Sequence, residues 1–194
     1  MQEIRKNKKD EYPILYLDTC IIQNSLRRRN TNDVILLNNI KEKGFKCITS
    51  IYTLLELFEI DKDRNFLINS VIKKWTDVNT FLAKRREKNL NTSTLKEISD
   101  DINNFFNENS FIEIYNITGD DDWKIVKEMC EITNIHYSDI IHLATAYNSK
   151  CTHLITRDIF FIREGNKTLT ESDVSQEELK ILTPEDFSKK FFIC

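Results

Sequence analysis

The sequence predicts an α/β fold on a mainly parallel sheet with a helical insertion, and three observations lead there. Short apolar runs rich in β-branched and aromatic residues recur five times along the 194 residues. Stretches with helical periodicity separate them, the pattern of strands joined by crossover helices. Between the second and third runs lies a long polar segment, Asp61 to Asn109, whose apolar residues keep helical spacing.

The first run, Ile14 to Leu17, reads as a buried strand stopped by Asp18, and Ile21, Ile22 and Leu26 then continue in a helix. Asp33 to Lys43 forms a second helix with Val34, Leu37 and Ile40 on one face and Gly44 as its C-cap. Phe45 to Thr49 is the second strand. Ser50 then caps a helix carrying Ile51, Leu54, Leu55 and Phe58 at i, i+3, i+4, i+7. Phe66, Val71, Trp75, Val78, Leu82, Leu95, Ile98, Ile102 and Phe105 space two or three amphipathic helices through 61–109, broken near Asn89 to Ser93. Phe111 to Tyr115 is the third strand, followed by helices from about Asp121 to Ile132 and from Ser138 to Asn148. His153 to Thr156 is the fourth. The polar stretch Arg163 to Glu177 reads as a surface loop, and Leu179 to Leu182 as the last strand. Thr183 and Pro184 then open a terminal helix. The whole reads as one domain, residues 1–194, with 1–11 a flexible basic tail.

With 28 Lys+Arg against 31 Asp+Glu, the net charge of −3 excludes a strongly basic, histone-like chain. The charged residues are well mixed and 40% of the chain is apolar, enough for a core and against intrinsic disorder. Five cysteines, Cys20, Cys47, Cys130, Cys151 and Cys194, form no CxxC pair and leave one over, which suits a reduced, cytoplasmic protein. No apolar run reaches the roughly 18–20 residues of a membrane span, and the basic N-terminus lacks the apolar stretch of a signal peptide. A soluble protein with no membrane partner is expected.

Two aspartates, Asp18 and Asp158, stand just past predicted strands, at the sheet edge where open parallel sheets bind ligands. Glu56 lies on a nearly all-apolar helix, so its carboxylate is half buried and needs a partner, such as a Lys or Arg from the insertion. Asp139 sits in the first turn of another apolar helix. Singly, each has a plainer reading: a turn residue or cap for Asp18, a helix-dipole partner for Asp139. His142, one turn after Asp139, is a weak candidate metal ligand, and His136 and His153 are weaker.

Together, the strings Tyr16-Leu17-Asp18-Thr19, Thr49-Ser50 with Leu55-Glu56-Leu57, Ser138-Asp139 with Leu143-Ala144 and Ala146, and Thr156-Arg157-Asp158 with Phe160-Phe161 resemble the PIN-domain nucleases. The closing Thr183-Pro184-Glu185-Asp186-Phe187 is also similar. The resemblance covers about 12–60 and 110–190 but not the helical stretch between, and Cys20 stands where many members carry a small polar residue. It implies a three-layer α/β/α PIN-like fold. It also implies a metal-dependent endoribonuclease in which Asp18, Glu56, Asp139 and Asp158 hold Mg²⁺ or Mn²⁺, leaving 5′-phosphate and 3′-hydroxyl ends. Physical chemistry agrees: carboxylates about 4 Å apart repel by about 4 kcal/mol at an effective dielectric of 20, so four in one pocket call for cations. Hard oxygen donors favour Mg²⁺ or Mn²⁺. Thr19 and Thr156 would orient the carboxylates.

RNA would need positive charge, and Arg27, Arg28 and Arg29 after the first acid, or Lys84, Arg85, Arg86 and Lys88 in the lobe, could contact phosphates. A solvated helix face is an equally good account of the second cluster. Setting aside the four acids turns the net charge to +1, so RNA binding should be weak without divalent metal and fall with salt. The resemblance allows a toxin role beside a small antitoxin protein, and a homodimer. The alternative is a non-catalytic PIN-like scaffold binding RNA or protein. A haloacid-dehalogenase-type phosphotransferase would want Asp-x-Asp, where this chain has Cys20, and a DNA 5′-nuclease relative would want a helix-hairpin-helix pattern that the sequence lacks.

Overall fold

The computed structural model describes residues 13–72, 77–84, 90–171 and 179–192. Its strands are β1 (Leu15–Leu17), β2 (Cys47–Ser50), β3 (Ile112–Tyr115), β4 (His153–Ile155) and β5 (Lys180–Leu182), which form one sheet in the order β3-β2-β1-β4-β5. Every pairing is parallel, and Leu15 lies between Cys47 and His153. The helices are α1 (Thr19–Leu26), α2 (Thr31–Lys43), α3 (Ile51–Leu67), α4 (Val78–Lys84), α5 (Thr92–Glu108), α6 (Asp120–Ile132), α7 (Tyr137–Asn148), α8 (Ile159–Glu171) and α9 (Pro184–Phe191).

Alternation along β1 explains the layers. Leu15 and Leu17 enter a core with Ile21, Ile40, Leu57 and Phe105, whereas Tyr16 faces a second core with Met129, Leu143, Phe161 and Ile181. Both faces of β1, β2 and β4 are buried, as in the middle of a parallel sheet, whereas the edge strands expose Glu113 and Ile114 on β3 and Lys180 on β5. The result is the expected α/β/α arrangement. Gly44, at φ 70, caps α2 in the left-handed conformation that glycine adopts without steric cost. Ser50, Asn91 and Thr183 cap α3, α5 and α9 through their side chains.

Two boundaries differ from expectation. The helix opened by Ser50 does not end before Asp61 but runs to Leu67, because Asp61 is buried and held by Arg27, and one π-helical turn, Ile68–Ile72, follows. The stretch from Arg163, expected as a loop, is helical as far as Glu171. Phe161, Gly165, Thr168 and Leu169 are its buried face, at i, i+4, i+7, i+8. The remaining part, 172–178, lies outside the described residues. Within α8, the Asn166 carboxamide pairs with both Ile181 N–H and Ile181 C=O, satisfying the outer edge of β5. Gly165 lies against the same strand: a Cβ there would overlap Ile181 Cδ1 and stand 3.3 Å from the Phe161 ring.

Candidate functional site

The strand order reverses at β1 and β4: β1 and β2 connect outward to one side, and the chain then returns to lay β4 on the other. A crevice outside the carboxyl ends of β1 and β4 follows from that topology. Asp18 and Asp158 stand there, and the N-termini of α1, α3, α7 and α8 converge on the same edge, a field that favours carboxylates.

Asp18 is buried and caps α1, Oδ1 accepting from Thr19 N–H at 2.6 Å. Its Oδ2 accepts from the Thr156 hydroxyl at 2.6 Å and from the Cys20 thiol at 3.1 Å. Burial and the Asp18 charge push the Cys20 thiol far up, so it stays a donor rather than a thiolate. Asp158, exposed, caps α8 through Oδ1 to Phe161 N–H at 2.9 Å. The plain reading of Asp18 as a cap is therefore true, and Asp158 caps its helix in the same way.

Glu56, half-buried, finds its partner in α7 rather than in the insertion. Its Oε2 accepts from Thr19 Oγ and lies 2.8 Å from His142 Nε2, while His142 Nδ1 lies 2.7 Å from the Tyr16 hydroxyl. Burial opposes a charge on His142, which is 1% exposed. Tyr16, the Glu56 hydrogen bond and the charges of Asp18 and Glu56 overcome it and lift the imidazole well above its ordinary value. Burial likewise raises Glu56, but the His142 and Thr19 hydrogen bonds hold it below the usual carboxylate range. His142 is thus an imidazolium counter-ion, 3.7 Å from Asp18 as well, with both ring nitrogens engaged. It is not placed to ligate a metal. Its spacing from Asp139 was the visible signal, but the strand residue that completes it, Tyr16, carries none.

Asp139 has the Ser138 hydroxyl only at 3.5 Å. Burial, then the charges of Asp18 and Asp158, raise it to about 6, with His142 and His136 offsetting part of the effect. Three of the expected acids therefore share one electrostatic environment, and the fourth joins it through His142. Among the described residues, no three His, Cys, Asp or Glu side chains form a ready-made metal cage. Asp18 and Glu56 are turned onto protein donors instead. The donor chemistry, several hard oxygens with one carboxyl held up by its neighbours, nonetheless suits a hard divalent cation.

The basic residues divide. Arg27 binds Asp61 and, at 2.7 Å, Asp101, tying α1 to α3 and α5. Arg28 and Arg29 are exposed at the far end of α1, which is eight residues and so about 12 Å long. Arg85, Arg86 and Lys88 lie outside the described residues; Lys84 closes α4. Arg157, not among the expected phosphate contacts, grips fully buried Asp33 through Nε at 2.8 Å and reaches Glu185 at 3.0 Å. His153 begins β4, beside Lys190 at 3.1 Å, and burial with the neighbouring lysines lowers it to about 4. His136 caps α7. Among the described residues no helix is long and apolar enough to cross a membrane.

No protein-family model and no curated protein matches the chain. Among solved structures, a chain in the crystal structure of VapBC2 from Rickettsia felis bound to a DNA fragment from their promoter is similar: 14% identical, covering 88% of this chain and 98% of that one, with a TM-score of 0.51. At that identity the likeness is one of fold, and the fold is PIN-like.

Proposed function

We propose that this chain is a metal-dependent endoribonuclease, one PIN-like domain with 61–109 as a helical lobe, acting as the toxin of a toxin–antitoxin pair. The observation that carries the reading is Asp139. Its carboxyl is held at about 6 by burial and by Asp18 and Asp158, so residues from three separate segments concentrate negative charge at the sheet's switch point. Likeness to a chain of VapBC2 supports a small antitoxin partner, and a homodimer and a cytoplasmic location go with the same reading.

In this reading Asp18, Glu56, Asp139 and Asp158 hold Mg²⁺ or Mn²⁺, which supplies an activated water and stabilises the leaving oxygen of a phosphodiester. Thr19 and Thr156 fix the rotamers of Glu56 and Asp18 through their hydroxyls. His142 keeps Glu56 ionised. Arg28 and Arg29, with Lys84, Arg85 and Arg86, contribute phosphate contacts, whereas Arg27 is committed to Asp61 and Asp101.

The test is cleavage of a panel of RNAs in Mn²⁺ or Mg²⁺ against EDTA, with Asp18→Asn beside the unaltered protein. Asparagine keeps the cap on Thr19 N–H but turns its amide toward the Thr156 hydroxyl and the Cys20 thiol, so a melting curve accompanies the assay to show that the variant is folded. The expected loss exceeds the roughly 100-fold typical of an outer partner of a metal ligand. Cutting that survives either EDTA or the substitution refutes the metal mechanism. The scaffold alternative draws on the complete pairing of Glu56 with His142; RNA or protein binding with no cutting of any RNA would favour it.

A further inference from the structure

Beside the acids lies a set of exposed rings and aliphatic side chains that the proposed chemistry does not use. Tyr137 opens α7 two residues before Asp139 and is 62% exposed. Ile159 and Phe160, the first residues of α8 after Asp158, are exposed too, as are Ile51 and Leu55 on α3 beside Glu56. Single exposed apolar residues are ordinary on a protein surface, so what distinguishes Tyr137 is its aromatic ring, two residues from Asp139.

Tyr137 is also held in place. Its ring lies against His136 at 4.2 Å between centroids, with 40° between the planes, and its hydroxyl engages Tyr52. Tyr52 in turn packs edge-on against His142, 5.7 Å between centroids. An exposed ring fixed from two sides loses little freedom when a flat ligand settles on it.

The charges nearby point to what that ligand is. Arg27 is paired with Asp61 and Asp101, Arg157 with Asp33 and Glu185, and His142 with Glu56. These cations beside the acids are already neutralised. The exposed Arg28 and Arg29 stand at the far end of α1, about 12 Å away, so beside the acids themselves a polyanion gains affinity from the rings. We propose that Tyr137 is a stacking platform for one unpaired nucleobase next to the acid cluster, so that the chain selects RNA strands with a base free of its helix. Every base presents a π-face, so such a platform tolerates sequence while rejecting a closed duplex. The proposal rests on the nuclease reading for its substrate, but its test does not need cleavage.

The experiment measures binding by fluorescence anisotropy in Mg²⁺, in the Asp18→Asn background, for a labelled single-stranded oligoribonucleotide and for strands in which one base at a time is removed. With Tyr137 present, one abasic position should weaken binding by about tenfold. With Tyr137→Ala, binding to the intact strand should weaken by a similar factor and the abasic penalty should vanish, because ring and base are partners. Tyr137→Phe keeps the ring and should keep the abasic penalty while losing the hydroxyl's hold on Tyr52. Melting temperatures should fall by no more than a few degrees, since the ring is largely exposed and only its contacts with His136 and Tyr52 are lost. Losses that add at every position, a duplex bound as tightly as the single strand, or no RNA binding at all would overturn the proposal. So would unchanged RNA affinity in Tyr137→Ala, which would leave the ring to a protein partner. Coupling without cutting in the Asp18 protein would sink the nuclease reading alone; cutting without coupling would sink the platform alone.

Discussion

Asp18 and Glu56 form an inner half of the acid site and Asp139 and Asp158 an outer half, and the two halves meet the same electrostatic problem differently. The inner carboxylates accept from a backbone N–H, two threonine hydroxyls, a thiol and an imidazolium. The outer half has one cap bond at 2.9 Å and a serine at 3.5 Å, and Asp139 rises to about 6. Repulsion is relieved inside by a proton on His142 and left standing outside. In the metal-dependent reading proposed above, a divalent cation would gain most at the outer carboxylates, because the inner pair already has protein donors.

The strongest way to break this contrast is His142→Gln, which removes the inner cation and leaves Glu56 half-buried without it. A loss of about 3 kcal/mol is expected in urea unfolding at pH 7, the scale on which a buried pair fails when one partner goes. A loss below about 1 kcal/mol would mean that the inner acids do not depend on the imidazolium. Tyr16→Phe is milder. It strips the partner from His142 Nδ1, a buried donor, and should cost about 1.5 kcal/mol by the same measurement. A neutral result would show that water replaces the hydroxyl.

The outer half gives the smallest effect and the opposite sign. Folding lifts Asp139 from 3.8 to about 6, so between those values the native state binds more protons than the unfolded chain. Stability therefore falls as pH rises through that window, and the full penalty stands above it. Asp139→Asn removes the penalty. After allowance for solvent screening, the variant should be more stable by about 1 kcal/mol at pH 7.5 without metal, and the gain should vanish near pH 4. A gain that persists at pH 4 would place the strain elsewhere than in the ionised carboxylate. A candidate ligand whose removal stabilises the protein is an acid kept for function rather than for folding.

These contrasts also mark what could be read from the chain. All five strands were visible as short runs rich in aliphatic residues, most plainly where both faces are buried in β1, β2 and β4 and less so at the edges with exposed Glu113 and Lys180, and the caps at Gly44, Ser50 and Thr183 follow from local chemistry. Asp18, Glu56, Asp139 and Asp158 were legible because each interrupts an apolar context. Their partners were not. Tyr16 and His142 are 126 residues apart, and nothing in a strand tyrosine announces that it will meet a helix histidine. Arg27 was illegible for the same reason: its partners, Asp61 and Asp101, lie in the long polar stretch, and only folding shows that a surface-like cluster contains one inward cation. The helical start of the stretch after Arg163 was hidden because its buried face includes Gly165 and Thr168, which do not read as apolar.

That same Gly165 carries a mechanical consequence. It lies seven residues from Asp158, about 10 Å along the axis of α8, and its missing side chain is what lets the helix rest on Ile181. A side chain at 165 would first meet the Ile181 methyl and the Phe161 ring, so the cost of filling the gap would fall on the core beneath α8, on the helix whose first turn Asp158 caps.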